Sequence, residues 1–210
     1  MNLKNTIFVI TCISLFIISC SRIIVPPTID LKPYQAISII KFNCTEKGNL
    51  ADFVTQKFIE EITKDQKPIQ ILELGNEADI LAAIQQTTMG PDAYKAIGAK
   101  YNVRTIVIGN INISDIKPEI SIAPGLSFVG ARGVVEASFV AHMFETTNGA
   151  TIWTGSARDK QEVGSISIIG GHFMFDAKDP EEAYGPLAEA LVKKATKDFK
   201  ETWKWSRSCF

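Results

Sequence analysis

The chain switches between two hydrophobic periods, and the switches mark out its elements. Residues 36–42, Ala-Ile-Ser-Ile-Ile-Lys-Phe, form a β-branched run of strand length. Asn49 then stands where a helix cap belongs, with Asp52 in the first turn. Leu50, Phe53, Val54, Phe58 and Ile62 recur on one face, which predicts an amphipathic helix over 49–64. Residues 69–74 predict a second strand after Pro68. Asn76 opens a second helix whose apolar side is Ile80, Leu81 and Ile84, closed by Gly90, and Pro91 suits the first turn of a third helix over 92–101. Residues 105–113 read as a buried strand.

Strict alternation then takes over. Val135, Ala137, Phe139, Ala141 and Met143 alternate with Glu136, Ser138 and His142. A three-residue loop over 147–149, with Gly149 left-handed, sets Met143 opposite Trp153 and Phe139 opposite Ala157. A two-residue Asn-Gly turn would set Met143 opposite Thr154 and mix the faces, so the first register is expected. Residues 115–123 also alternate, with Ile116, Pro118, Ile120 and Ile122 against Asp115, Lys117, Glu119 and Ser121. Their parity is reversed from Ile111 and Ile113, which predicts a break near Ser114 and Asp115. A loop over 123–125 predicts Ile122 opposite Leu126 and Ile120 opposite Phe128. Gly170-Gly171 sets Ile168 opposite Phe173 and Ile166 opposite Phe175. Finally, the stripe Leu187, Leu191, Ala195, Phe199 and Trp203 predicts a long helix over 186–205. The order β-α-β-α-α-β-β-β-α predicts an α/β (α+β) layered sandwich on a mixed sheet.

The N-terminus carries a different signal. An apolar run over 7–18, interrupted only by Thr11, Cys12 and Ser14, follows Lys4. Roughly 18 or more apolar residues are needed to span a bilayer as a helix, so this run is too short and reads as the core of a signal peptide. Ile17-Ile18-Ser19-Cys20 then has the form of a lipobox, with small Ser19 before the cysteine that would receive the lipid. The expected organisation is a lipoprotein signal peptide over 1–19, a lipidated N-terminus and Pro-containing tether over 20–34, and one domain over 35–210. The acylated Cys20, carrying more than one chain such as palmitate, would hold the body on a membrane. Ser21 in place of an inner-membrane-retaining Asp favours the outer membrane, on its periplasmic face.

Charge and cysteines narrow the partners. Lys and Arg number 22 against 23 Asp and Glu, a formal net charge of −1, so no basic surface recommends nucleic acid. Four cysteines reduce to two, Cys44 and Cys209, once Cys12 leaves with the signal and Cys20 is acylated. An oxidising periplasm permits a bond between them, or leaves two unrelated thiols.

His142 and His172 have no Cys, Asp or Glu at ligand spacing, so no metal is expected. No phosphate-cradling Gly-rich loop and no nucleophile elbow is present, and neither a cofactor nor an enzymatic activity is expected. The adjacent pairs Glu60-Glu61 and Glu181-Glu182 cannot face each other as a catalytic dyad would.

Three segments resemble the CsgG family and its TolB-N-terminal-like relatives. The strand over 37–42 leading to the cap at Asn49 resembles the family's opening unit. Residues 96–111, Ala-Ile-Gly-Ala-Lys-Tyr-Asn-Val-Arg-Thr-Ile-Val-Ile-Gly-Asn-Ile, are similar to its helix, turn and buried strand with a Gly-x-Ile element, although Asn102-Val103 replaces the usual Gly-Ala. Residues 146–155, Thr-Thr-Asn-Gly-Ala-Thr-Ile-Trp-Thr-Gly, resemble its recurring hairpin. The resemblance implies envelope lipoproteins that transport or organise material: curli secretion channels, PelC-type rings serving polysaccharide export, and LpoB-type activators of a cell-wall synthase. It transfers no catalytic residue.

Both apolar hairpins fall where CsgG-like channels carry their membrane hairpins. Their residues Ile120, Ile122, Leu126 and Phe128, with Ile166, Ile168, Phe173 and Phe175, are therefore the candidate membrane or subunit contacts. A membrane-crossing strand needs about 9–11 residues. Residues 115–123 barely reach this, 163–169 fall short, and Pro118 removes a ladder donor. The expectation is a pair of hairpins folded onto the body or a neighbouring subunit, in a non-enzymatic, homo-oligomeric ring that meets envelope export or assembly proteins. A regulatory binding module of LpoB type and a full secretion pore are the alternatives.

Overall fold

A computed structural model describes residues 20–34, 36–44, 50–66, 69–114, 117–122, 129–169, 172–177 and 180–207. The expected signal peptide and lipobox residues before Cys20, together with Leu126, Phe128 and Cys209, lie outside them. The described chain runs β1 (Cys20–Val25), β2 (Ala36–Ile40), β3 (Asn43–Cys44), α1 (Leu50–Thr63), β4 (Gln70–Gly75), α2 (Glu77–Ala83), α3 (Pro91–Tyr101), β5 (Thr105–Ile113), β6 (Lys117–Ile122), β7 (Val129–Glu145), β8 (Thr151–Ile169), β9 (His172–Ala177), α4 (Pro180–Ala195) and β10 (Thr202–Arg207).

Eight strands make one mixed sheet in the order β4-β2-β5-β7-β8-β9, with β3 paired to β5 and β6 to β7. Its first half is parallel, β2 running with both β4 and β5, and everything from β7 onward is antiparallel. The chain crosses outward from β2 to β4 and then back past β2 to β5. Two crossovers of one hand running in opposite directions place their helices on opposite faces. Accordingly α1 packs with α4 over a core holding Ile37, Ile39, Val107, Phe139 and Met143, while α2 and α3 cover Ile40 and Ile106 from the other side. The layered α/β sandwich on a mixed sheet is what the order of elements predicts.

The larger core is organised by aromatics. Phe42 meets Phe58 edge-on at 5.1 Å and Phe139 at 5.3 Å, Phe58 approaches Trp153 at 6.1 Å, and Trp153 meets Phe199 at 4.5 Å. Such contacts are each worth about 0.5–1.5 kcal/mol beyond the area they bury. Gly109 is what lets Phe42 lie flat on β5: a Cβ there would stand 2.7 Å from the ring. The glycine of the Gly-x-Ile element thus has a packing reason.

The β7–β8 hairpin has the expected register. Met143 pairs with Trp153 and Phe139 with Ala157, and Gly149 has φ +75° in the connecting turn. Ile168 pairs with Phe173 and Ile166 with Phe175, again as expected.

Three segments depart from the sequence reading. The stripe ending in Trp203 does not continue as helix: α4 covers Pro180–Ala195, a 3-10 turn follows at Lys197–Phe199, and β10 takes over. Thr202-Trp-Lys-Trp-Ser-Arg207 has β-prone residues and period two, and it pairs with β1, a partner hidden in the segment read as tether. Residues 20–25 are accordingly strand, and Leu31 is fully buried in the core. Third, Ile122 pairs with Val129 and Ile120 with Ala131, not with Leu126 and Phe128. Val129-Gly-Ala-Arg-Gly133 opens one continuous seventeen-residue strand. This register sets Glu119 directly across from Arg132, 3.6 Å apart.

Candidate functional site

Two features extend beyond the layered body. The first is built from β7 and β8. β5 accompanies β7 only from Ala137 to Glu145; the remaining residues, 129–136, run on, at about 3.3 Å per residue, for roughly 26 Å. There β6 replaces β5 on one side, and β9 joins β8 on the other. Four strands lie abreast in the rows Glu119–Arg132–Ser165–Asp176 and Pro118–Gly133–Gly164–Ala177. Among the described residues β6 pairs only with β7 and β9 only with β8, so both outer edges are unpaired. An open edge is a template for another strand unless something covers it.

The base of this four-stranded wing is ion-paired on one face. Glu119 bonds Lys160 at 3.0 Å and faces Arg132, Arg132 reaches Glu162 at 3.4 Å, and Lys117 lies 3.8 Å from Glu136. The Lys160 ammonium, hydrogen-bonded to it, holds the Glu119 carboxyl below the usual carboxylate range. Charged side chains of alternating sign across neighbouring strands fix the register against slippage. Lys194 of α4 donates to Asp159 of β8 at 2.8 Å and likewise lowers that carboxyl's pKa.

Beside the wing, the face of β5, β7 and β8 that α2 and α3 leave open is polar. An open concavity of about 600 Å³ lies there, lined by Asn112, Ser114, Glu136, Ser138, Arg158 and Lys160. This follows from antiparallel strands with one solvated face. His142 shares that face, its Nδ1 2.9 Å from Thr154 Oγ1. Among the described residues no three His, Cys, Asp or Glu side chains come together as a metal site, and no helix is long and apolar enough to cross a membrane.

The second feature is the β1–β10 ribbon, a two-stranded sheet separate from the main one. Cys20, the cysteine of the expected lipobox, begins β1 and pairs with Arg207. The ribbon is rooted in the body by Gln66, which is 1 % exposed. Its amide nitrogen donates to the Ile29 carbonyl at 2.6 Å and the Phe199 carbonyl at 3.0 Å, and its oxygen accepts the Leu31 N–H at 2.9 Å. Ile29 N–H donates to the Asp198 carbonyl and Glu201 N–H to Asp65, while Lys200 pairs with Glu61. Chain entry and exit are thus tied to the end of α1.

Of the predicted contact positions, Ile166 and Ile168 lie opposite Phe175 and Phe173, while Ile120 and Ile122 lie opposite Ala131 and Val129. Ile120 and Ile122 lie on β6, Ile166 and Ile168 on β8, and Phe173 and Phe175 on β9. Leu126 and Phe128 lie outside the described residues. Cys44, half-buried on β3, packs against the main core, while its proposed partner Cys209 lies outside the described residues. Sequence reasoning missed the ribbon and its Gln66 root. The Trp203-Lys-Trp205 alternation was the available signal.

No family model matches the chain, and no curated protein matches it. Solved structures do. The chain is similar to the PelC dodecamer from Paraburkholderia phytofirmans, at 11 % identity over 85 % of this chain and 96 % of that one, with a TM-score of 0.42. It is similar to lipoprotein GNA1162 from Neisseria meningitidis, at 12 % identity over 75 % and 95 %, TM-score 0.41. It is also similar to the LpoB C-terminal domain from Salmonella enterica, at 8 % identity over 60 % and 83 %, TM-score 0.37.

Proposed function

We propose that this chain is a lipid-anchored, non-enzymatic lipoprotein of the outer membrane, working as a ring-forming component of an export or surface-assembly system. The carrying observation is the four-stranded wing with two unpaired edges, β6 on one side and β9 on the other. Two different edges of one subunit make a heterologous contact, and such contacts generate rings when the rotation closes. The lipobox supplies the anchor, and the resemblance of residues 37–49, 96–111 and 146–155 to the CsgG family supports the class of task. The wing's ion-paired base favours a ring built on the body over a membrane-crossing barrel.

The test uses the full acylated protein. Incorporation of a palmitate analogue should be abolished by Cys20→Ala; equal labelling of both would remove the anchor. Ile122→Lys and Phe173→Lys should each weaken assembly, and planar bilayers should show no conductance. Reproducible channel steps from pure protein would promote the secretion-pore reading.

A second reading, a binding module that regulates a cell-wall synthase, has one observation in its favour. The open concavity sets the charged side chains Glu136, Arg158, Asp159 and Lys160 beside apolar surface, a mixture that suits a protein partner. A monomer that retains such a synthase, and loses it on Arg158→Glu, would favour this second role.

A further inference from the structure

We infer that the β1–β10 ribbon is a second membrane contact, lying on an anionic phospholipid surface beside the acylated Cys20. The inference rests on the lipid-anchor reading and adds to it a surface that the acyl chains alone do not require.

A two-stranded ribbon is marginal in water unless another surface covers it. This one exposes large apolar side chains: Trp203 is 61 % exposed and Ile24 49 %, and Ile23, beside Lys204 on the other face, 50 %. Register places Ile24 directly opposite Trp203, and two residues further toward Cys20 it places Arg22 opposite Trp205, then Cys20 opposite Arg207. Positions two apart share a face, so the row that starts at the lipobox cysteine carries Arg22, Ile24, Trp203, Trp205 and Arg207. Residues 20–25 and 202–207 contain Arg22, Lys204 and Arg207 and no Asp or Glu, within a chain whose formal net charge is −1. Basic residues beside tryptophans are the chemistry of a headgroup boundary: indole rings settle where apolar and polar media meet, and Lys or Arg meets the phosphates.

Geometry supplies the continuity. Ile24 lies four residues from Cys20, about 13 Å along the strand, so an acyl group on Cys20 brings the whole ribbon to the headgroup layer. The Gln66 latch and the Ile29–Asp198 bond then fix how the body stands over the membrane. A ribbon lying flat would hold the wing at a set angle, which a ring of identical subunits needs and a flexible tether would not provide.

The experiment reconstitutes full acylated protein into phosphatidylethanolamine–phosphatidylglycerol vesicles with brominated acyl chains, palmitate-analogue labelling being measured on the same sample. The chain has three tryptophans, and Trp153 is buried in the body, so it serves as an unquenched reference. Bromolipid should quench the parent, and the double variant Trp203→Ser/Trp205→Ser should lose most of that quenching. Trypsin cleavage after Arg22 and Lys204 in the unsubstituted protein should be several-fold slower on vesicles than in detergent, a readout that needs no folded variant. Labelled protein with equal quenching in parent and double variant, and equal cleavage in both media, would overturn the ribbon contact while leaving the anchor intact. Cleavage that slows with protein concentration in detergent would assign the ribbon to a second copy and overturn it too. Absence of label would remove the anchor, and the ribbon contact with it.

Discussion

Replacing Gln66 tests how the ribbon is held. The side chain sits at the end of α1 with three hydrogen bonds to main-chain groups of two segments, at 2.6, 2.9 and 3.0 Å. Gln66→Met keeps most of the volume and removes all three bonds. One N–H, of Leu31, and two carbonyls, of Ile29 and Phe199, then lose their partner at a site that is almost closed to water. Leaving a buried polar group unsatisfied costs about 1–3 kcal/mol. Taking the low end for each, because carbonyls retain a second lone pair and water can enter near half-exposed Ile29, the loss is about 3 kcal/mol. For a domain of this size each kcal/mol moves Tm by about 2–4 °C, so a fall of about 6–12 °C is expected. Urea unfolding gives the free energy, and hydrogen exchange should show the Leu31 and Ile29 amides losing protection before the β5 amides do. A Gln66→Met protein within about 0.5 kcal/mol of the parent, the ordinary range for a surface substitution, would refute the latch.

Gly109→Ala should destabilise by about 1–3 kcal/mol in urea unfolding, because its Cβ would press on a Phe42 ring wedged between Phe58 and Phe139. Lys194→Met should cost less than about 1 kcal/mol at neutral pH, since the pair with Asp159 is partly exposed. It should also flatten the acid limb of stability. A carboxyl depressed below 3.8 contributes above that value and loses its contribution as pH falls through the folded pKa, and without Lys194 the largest cause of the depression goes, leaving the Lys160 main-chain hydrogen bond. For the cysteines, we expect that non-reduced mass spectrometry of envelope-purified protein will find Cys44 and Cys209 joined; alkylatable thiols at both positions would reject the bond.

Where the sequence was legible, short-range periodicity and tertiary packing pointed the same way. The strand over 105–113 follows from its β-branched, buried run, and the register that sets Met143 opposite Trp153 follows from alternation, because one side of that hairpin must face the core. The helix stripe through Trp203 misled because Leu187, Leu191 and Ala195 do belong to a helix, and Phe199 is buried for another reason, on the Trp153 ring. Period 3.6 and period 2 overlap for a few residues, and only β1 decides between them. Its own signal was weak, since Pro26 and Pro27 suggested irregular chain. The β6 register failed on the loop expected over 123–125: Ile122 pairs with Val129, beyond Phe128, and the partner strand carries Gly130 and Gly133 within it, with Glu119 across from Arg132. Gln66 left no trace in any pattern, because a lone polar residue after a helix is ordinary until three main-chain partners converge on it.

In the proposed function the wing assembles copies of this chain on a membrane. The most direct test is the mass of the full acylated protein extracted in mild detergent, measured by native mass spectrometry beside the Ile122→Lys variant. A closed multi-subunit ring that dissociates in the variant is the predicted result. A monomer in both, at concentrations where the protein stays folded, would contradict the account.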